Sequence, residues 1–314
     1  MNSMILEKQR QPHVHMRLWF YRVAVWIFSI ALLLALLKNS NWQLNFMRLT
    51  QISSEVIVIC AVAWMSSFAF RAFRFQSEWQ HFYKVPFWNA LNLTLLHNAA
   101  VVSVPFRAGE LGYLVMVQKL IGASWQKCIH SLLWLRFQDA IVLICLAVLL
   151  LLPANTGVRL FSLLFLFSVF LLFKKWMVKS LKSRNFIFSQ LRIFLHHRPN
   201  APAWFWSLAN WVTKILAVAL LLSTLTGLNP EIALRGALAG ELSALLPITG
   251  PAGLGTYEAG VWAGTSLPWP TMEGLMASVF ITHLFFLFIS LSAAMIALLF
   301  SSFNVPSNFP AHTR

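Results

Sequence analysis

The chain has 314 residues, of which 59% are hydrophobic and 11% are charged. A soluble globular domain carries about 25% charged residues, so this composition cannot cover a water-facing surface. Lys and Arg number 24 against 9 acidic residues, a net charge of +15, and they lie between apolar runs rather than on one soluble face. Such charge is typical of cytoplasmic loops beside membrane spans, so we expect no nucleic-acid partner. The composition predicts an all-α polytopic membrane protein.

Six long apolar runs, some with a charged residue inside them, are the candidates for full transmembrane helices. In chain order they are residues 19–37, 56–70, 132–152, 160–173, 204–226 and 275–300. The first follows the polar and basic segment 1–18 and ends at Lys38 without a signal-peptide cleavage pattern, so we interpret it as a retained span. The prediction is therefore about six full crossings in a single integral membrane domain, 1–314.

Two further apolar stretches, 85–122 and 233–263, are interrupted by proline and glycine. The interrupting residues are Pro105, Gly109, Gly112 and Gly122 in the first, and Pro247, Gly250, Pro251, Gly253 and Gly255 in the second. Each stretch predicts two half-length helices joined at a break. A break at membrane depth is tolerated only where it is buried in protein or lines a cavity.

Positive charge sets the predicted orientation. The segment 174–198 holds seven Lys or Arg and no acid, so it is predicted to be a cytoplasmic loop, like the loop with Arg71, Arg74 and Lys84. With both termini cytoplasmic, the count of crossings closes only if 85–122 returns to the cytoplasm and 233–263 returns to the outside. We therefore predict two oppositely oriented re-entrant helical hairpins that form an inverted repeat. The alternative is that one or both stretches span the membrane.

The first break carries a candidate ion pair. Arg107 and Glu110 are three residues apart and share a face in a helix, while Pro105 ends one half-helix and Gly109 permits close backbone approach. A lone charge at the bilayer centre costs on the order of 3 kcal/mol, which pairing reduces. The guanidinium can also bind phosphate through two hydrogen bonds. The alternative role is a structural pair that fixes the bend.

A second pair lies inside an apolar span. Arg136 and Asp139 share a helix face, and Asp139 is the only aspartate of the chain. Its position predicts a buried partner, for which Arg136, Arg107 and Lys214 are the candidates. A structural role and a substrate-facing role are both open.

The second break, with Gly250, Pro251, Gly253 and Gly255, precedes Glu258. It predicts free backbone N–H groups at the start of a half-helix, where an anion is favoured. Glu258 would lie on the first turn of that helix. The alternative is a tight turn for close helix packing.

No pattern indicates bound metal, a cofactor or catalysis. Cys60, Cys128 and Cys145 have no CxxC spacing, and the nine histidines form no HExxH motif. A GxxxxGK[ST] nucleotide motif is missing as well. We therefore predict no metal site, no cofactor and no enzymatic activity.

The combination of both motifs resembles a known family. The residues that carry the resemblance are Pro105, Arg107, Gly109, Glu110, Gly122, Ser124, Arg136, Asp139, Gly250, Pro251, Gly253, Gly255 and Glu258. In this order they resemble the flippase-like transmembrane-domain family, the membrane part of lysylphosphatidylglycerol synthetases, which also occurs as stand-alone proteins. The resemblance covers residues 52–299. The chain departs from the family at Gly112 and Tyr113, where members often carry a basic residue, and at Leu135, where they often carry an acid.

The resemblance implies lipid translocation or handling, and not lipid aminoacylation, since we expect no soluble catalytic domain here. The leading hypothesis is a lipid flippase or lipid-handling transporter of the bacterial inner membrane, with a phospholipid or polyprenyl-linked head group as its partner. The predicted substrate-binding residues are Arg107, Glu110, Arg136, Asp139 and Glu258. Alternatives are a transporter of a small soluble ion or metabolite, a membrane-embedded enzyme, and a non-transporting accessory subunit of a cell-envelope pathway. A homo-oligomer or an envelope-biosynthesis partner is also open.

Overall fold

The computed structural model describes residues 27, 30–35, 37–38, 42–80, 82–104, 108–180, 200–243, 245 and 251–300. All regular structure in these ranges is helical, as the composition predicts. In chain order the helices are α1 (Trp42–Thr50), α2 (Ser54–Trp79), α3 (Phe87–Ser103), α4 (Glu110–Ile121), α5 (Trp125–Leu150), α6 (Thr156–Ser180), α7 (Ala201–Thr226), α8 (Pro230–Ser243), α9 (Thr256–Thr265), α10 (Trp269–Glu273) and α11 (Met276–Phe300). A short 3₁₀ turn, Pro251–Gly253, precedes α9.

Four helices, α2, α5, α7 and α11, are long and apolar enough to cross a membrane. They correspond to the predicted spans 56–70, 132–152, 204–226 and 275–300, with bounds that differ by one or two residues where a helix does not cover the whole span. The apolar part of α6, Thr156–Val169, is shorter. The predicted span 19–37 lies mostly outside the described residues, and the part that is described is helical.

One predicted loop is wrong at Arg71 and Arg74, and a second begins as helix. Arg71 and Arg74 lie inside α2, which continues to Trp79, because aromatic residues on both sides of each arginine keep the helix apolar. Likewise, α6 continues to Ser180, so the basic segment 174–198 begins as helix. The rest of that segment, 181–199, lies outside the described residues.

Each broken stretch forms two helices separated by a break, as predicted. In the first stretch, α3 and α4 lie side by side, and Gly109 lies against the backbone of Ala100. In the second, α8 begins three residues before the predicted start, at Pro230, and packs along α9. Gly264 of α9 lies against Arg235 and Ala239 of α8, so a side chain there would enter the neighbouring helix.

Helix α7 is the centre of the bundle. It packs along α2 and α8 and also contacts α5 and α11. The C-terminal helix α11 contacts α3 and α9. Trp64 of α2 stacks on Phe286 of α11 with ring centroids 4.3 Å apart. The two broken stretches are therefore held against one common core.

The close contact of α8 with α9 gives a first prediction. An alanine Cβ at position 264 would lie 2.4 Å from Cβ of Ala239 and 2.5 Å from the carbonyl oxygen of Arg235. We expect Gly264→Ala to destabilise the purified protein by about 1–3 kcal/mol, because the backbone of α8 must move. Thermal unfolding in detergent measures the effect. Gly274→Ala is the control, since nothing lies within 4 Å of its Cβ position. Equal melting temperatures for the two variants would contradict the packing.

Candidate functional site

The interior contains a buried ion cluster around Asp139, which is completely buried. Nη1 of Arg74 donates to Oδ1 of Asp139 over 2.5 Å, and the indole N–H of Trp211 donates to the same oxygen over 2.8 Å. Arg74, from α2, also donates to the hydroxyl of Ser207 over 2.9 Å. Arg74 is the main partner of Asp139, and sequence reasoning missed it because it assigned Arg74 to a loop.

Arg136 joins Asp139 to the first broken stretch. Its Nε and Nη2 donate to Oε2 of Glu110 over 3.0 and 2.7 Å, and its Nη1 lies 3.4 Å from Oδ2 of Asp139. The predicted shared face of Arg136 and Asp139 is therefore confirmed. His97 of α3 also lies near Glu110, with 3.4 Å between Nε2 and Oε2. Glu110 thus holds the α3–α4 pair against α5.

A second ion pair lies between α7 and α8. Nζ of Lys214 donates to Oε2 of Glu241 over 2.5 Å. The same ammonium lies 4.7 Å from the ring centroid of Trp64 and 5.1 Å from that of Trp211. Contacts of this kind with aromatic faces stabilise a cation that has lost water. Lys214 was a candidate partner of Asp139, but it pairs with Glu241 instead.

The ends of both broken stretches meet at one cavity of about 170 Å³. Val102 and Val104 come from the end of α3, while Ala252 and Gly253 come from the turn before α9. The rest of the wall comes from α2, α3, α5, α7, α8, α9 and α11. Its polar members are Arg71, His97, Asn98, Arg136, Lys214, Glu241, Ser243, Tyr257, His283 and Ser290. The cavity is large enough for about six water molecules or a small polar group.

The charge of the cavity wall is unbalanced. Three cations, Arg71, Arg136 and Lys214, line it with one carboxylate, Glu241. Arg136 and Lys214 are already paired with carboxylates. Arg71 makes no ion pair within the described part of the chain, and its Nη1 donates only to the amide oxygen of Asn98, over 3.3 Å. The wall therefore offers a guanidinium that makes no direct contact with a carboxylate in the described part of the chain.

Glu258 lies beside this cavity and is completely buried. Its Oε2 accepts the backbone N–H of Gly255 over 2.7 Å, and its Oε1 lies 2.7 Å from Nδ1 of His283 on α11. The ring of Tyr257 lies 4.2 Å from that of His283. The prediction of free N–H groups before α9 is wrong for Gly255, because Glu258 itself accepts that hydrogen.

The structure separates the predicted site residues into different positions. Of the predicted substrate-binding residues, Arg136 lines the cavity. Glu110 and Asp139 do not line it but form ion pairs with Arg136. Glu258 pairs with a histidine that lines the cavity. Arg107, Pro105 and Gly250 lie outside the described residues. Of the remaining motif residues, Gly109 permits the close approach of α3 and α4, and Pro251, Gly253 and Gly255 belong to the turn before α9.

Sequence reasoning missed Arg71, Arg74 and His283 as members of the site. A signal for the two arginines was present, since the run from Phe68 to Phe75 keeps its aromatic residues on both sides of each arginine. Helical spacing of three residues places Arg71 and Arg74 on the same side of α2. No local pattern marks His283, because its partner Glu258 lies 25 residues away.

Comparisons with models of protein families and with curated proteins gave no match. In the described residues, no group of three or more His, Cys, Asp or Glu side chains could hold a metal ion. The three cysteines are free. The resemblance to the flippase-like family therefore stays a prediction, and the cavity itself carries the functional argument.

The buried pair around Asp139 gives a second prediction. Asp139→Asn leaves Arg74 without a counter-charge in a position that is 4% exposed, so we expect a loss of about 3–5 kcal/mol in stability. Glu231→Gln is the control, because the pair of Glu231 with Arg235 on the surface of α8 is worth about 0.5 kcal/mol. Thermal unfolding in detergent compares the two. An Asp139→Asn protein as stable as the control would show that Arg74 does not depend on this carboxylate.

Proposed function

We propose that this protein is a lipid flippase or lipid-handling transporter that binds the phosphate of a lipid head group in the cavity between its two broken stretches. The observation that carries the proposal is Arg71, a cavity-lining guanidinium that has an amide neighbour and no carboxylate partner within the described residues. A cation without a partner is costly inside an apolar bundle, so a bound anion would supply the missing counter-charge.

The chemistry of the wall fits a phosphate group. Guanidinium groups bind phosphate oxygens through parallel hydrogen bonds, and Arg71 and Arg136 both line the cavity. Arg136 is kept in place by Glu110 and Asp139, so it can meet an anion with little loss of conformational freedom. The apolar part of the same wall includes Val101, Leu245 and Leu287. This mixture of guanidinium and apolar side chains suits a head group whose acyl chains stay in the bilayer.

The order of the helices supports an inverted repeat. Helices α2, α3, α4 and α5 are matched in type and order by α7, α8, α9 and α11, apart from the short α10, with α6 between the two sets. If the broken pairs return to the side they entered, α2, α5 and α6 make three crossings before α7 begins. An odd number of crossings inverts the second set relative to the first. Binding sites between inverted repeats are typical of membrane transporters.

The main rival is a transporter of a small soluble anion, because a free phosphate and a lipid phosphate offer the same oxygens. The other rival is an accessory subunit whose buried charges are purely structural. Two measurements distinguish these possibilities. Movement of lipid, as opposed to free phosphate, separates a flippase from a soluble-anion carrier, and loss of activity on substitution of Arg71 separates a transporter from an accessory subunit. A bacterial inner-membrane location belongs to the same proposal, and the basic segment 174–198 fits the cytoplasmic side of such a membrane.

The test is lipid translocation in proteoliposomes. Fluorescent phospholipids report inner-leaflet accessibility for wild type, Arg71→Gln and Arg71→Lys. We expect Arg71→Gln to reduce the rate roughly ten- to hundredfold, because a hydrogen bond to a charged group is worth about 1.5–3 kcal/mol. Arg71→Lys keeps the charge but loses the two-pronged contact, so it should fall between wild type and Arg71→Gln.

Arg235→Gln is the matched control, since Arg235 pairs with Glu231 on the surface of α8 and does not line the cavity. It should translocate lipid at the wild-type rate. A parallel assay follows uptake of inorganic phosphate into the same vesicles. Phosphate uptake without lipid movement would replace the flippase proposal with a soluble-anion carrier. A folded protein that moves neither would favour the accessory subunit.

A further inference from the structure

The pair formed by His283 and Glu258 is the feature of the cavity that the proposed function does not use. Both side chains are buried, with His283 7% and Glu258 0% exposed. Nδ1 of His283 and Oε1 of Glu258 lie 2.7 Å apart, and the imidazole belongs to the cavity wall. A buried histidine and carboxylate in contact at a binding cavity can hold either one or two protons.

The proton count sets the charge of the wall. With one proton the pair has a net charge of −1, and with two protons it is neutral, whichever of the two groups carries the second proton. Uptake of that second proton therefore makes the cavity more positive by one unit. Arg71 already lines the cavity without a direct carboxylate contact in the described residues, so each added positive unit strengthens the attraction for an anion.

The pair is also built into the second break. Oε2 of Glu258 accepts the N–H of Gly255, so the carboxylate fixes the turn that precedes α9. Gly253, in the same turn, lines the cavity, and a Cβ at that position would lie 3.8 Å from Cε1 of His283. Protonation of the pair therefore acts at the point where the turn, α11 and the cavity meet.

We infer that His283 and Glu258 form a proton-binding site that is coupled to anion binding in the cavity. The inference rests on the proposed function and adds an energy source to it. Because linkage is reciprocal, an anion that binds more tightly to the protonated protein must itself promote proton uptake. A proton gradient can then drive movement of the anionic head group across the membrane. Transport powered in this way needs no nucleotide-binding site.

Other ionisable groups face the pair across the cavity and must be distinguished from it. They are Arg71 on α2, His97 on α3, Arg136 on α5, Lys214 on α7, Glu241 on α8 and Tyr257 on α9. Of these, His97 is the main competitor, since histidine is the side chain that changes charge between about pH 5 and 8. The experiment therefore compares His97→Gln with His283→Gln.

The test uses the purified full-length protein in detergent and a water-soluble short-chain phosphatidylglycerol. Its phosphodiester keeps one negative charge over the pH range used, so a change of affinity reports the protein alone. The intrinsic tryptophan fluorescence, to which Trp64 and Trp211 of the cavity wall contribute, reports binding. We expect wild type to bind on the order of tenfold more tightly at about pH 5.5 than at about pH 8.5. A pH dye in weak buffer should record proton uptake on binding.

The variants decide between the residues. His283→Gln and Glu258→Gln should bind the lipid with little pH dependence and without proton uptake, and the glutamine at 258 can still accept the N–H of Gly255. His97→Gln should keep the pH dependence, as should His130→Gln, which does not line the cavity. Arg71→Gln removes specific binding and corrects for lipid that enters the micelle.

The outcomes separate the two proposals. Specific binding with no pH dependence and no proton uptake overturns the proton site and leaves the proposed function in place. A pH dependence that survives in His283→Gln but is lost in His97→Gln also overturns it. Wild type that takes up a proton on binding the lipid but moves no lipid across vesicles confirms the proton site and removes the flippase proposal. A protein that binds no anion at any pH overturns both.

Discussion

Asp139 bonds side chains from three helices, and the arrangement of the interior depends on this contact. Its two oxygens meet Arg74 from α2, Arg136 from α5 and Trp211 from α7. A buried ion pair costs desolvation energy that good geometry only partly recovers, whereas removal of one partner leaves an uncompensated charge. The helices that carry these partners must therefore pack with Arg74, Asp139 and Trp211 at the same level in the bundle. The polar contact fixes where α2, α5 and α7 lie in a bundle whose apolar surfaces alone would allow several packings.

The same network supports the proposed binding of an anion in the cavity. Glu110 and Asp139 hold Arg136 on one side, and Glu241 holds Lys214 on another. These pairs neutralise their own members and give the wall a fixed shape. Arg71 stands apart, because its described neighbour is the amide of Asn98. Preorganised donors around a guanidinium with no direct carboxylate contact would let the proposed anion bind without a large rearrangement of the wall.

The two broken stretches have different roles at this cavity. The α3–α4 pair contributes Glu110, which lies near His97 and pairs with Arg136, and Asn98, which accepts a hydrogen bond from Arg71. In the α8–α9 pair, the turn at Gly253 lies beside His283, while Glu258 connects that turn to α11. In the two proposals, the first stretch therefore positions the anion-binding arginines of α2 and α5, and the second supplies the proton-binding contact. In the proposed cycle, this division couples a head group to a proton within one cavity.

The sequence by itself determined the helical class, the positions of the long apolar helices and both breaks, because length, hydropathy and Pro or Gly placement are local properties. It also determined the shared face of Arg136 and Asp139, which depends only on helical spacing. It misassigned Arg71 and Arg74 to a loop, since a charge count cannot tell a loop arginine from one that a distant side chain holds inside the bundle, as Asp139 holds Arg74 and Asn98 contacts Arg71. Only the tertiary structure decided that Arg74 meets Asp139 and that Glu258 meets His283. These pairs join residues far apart in the chain, and burial rather than local pattern makes each contact necessary.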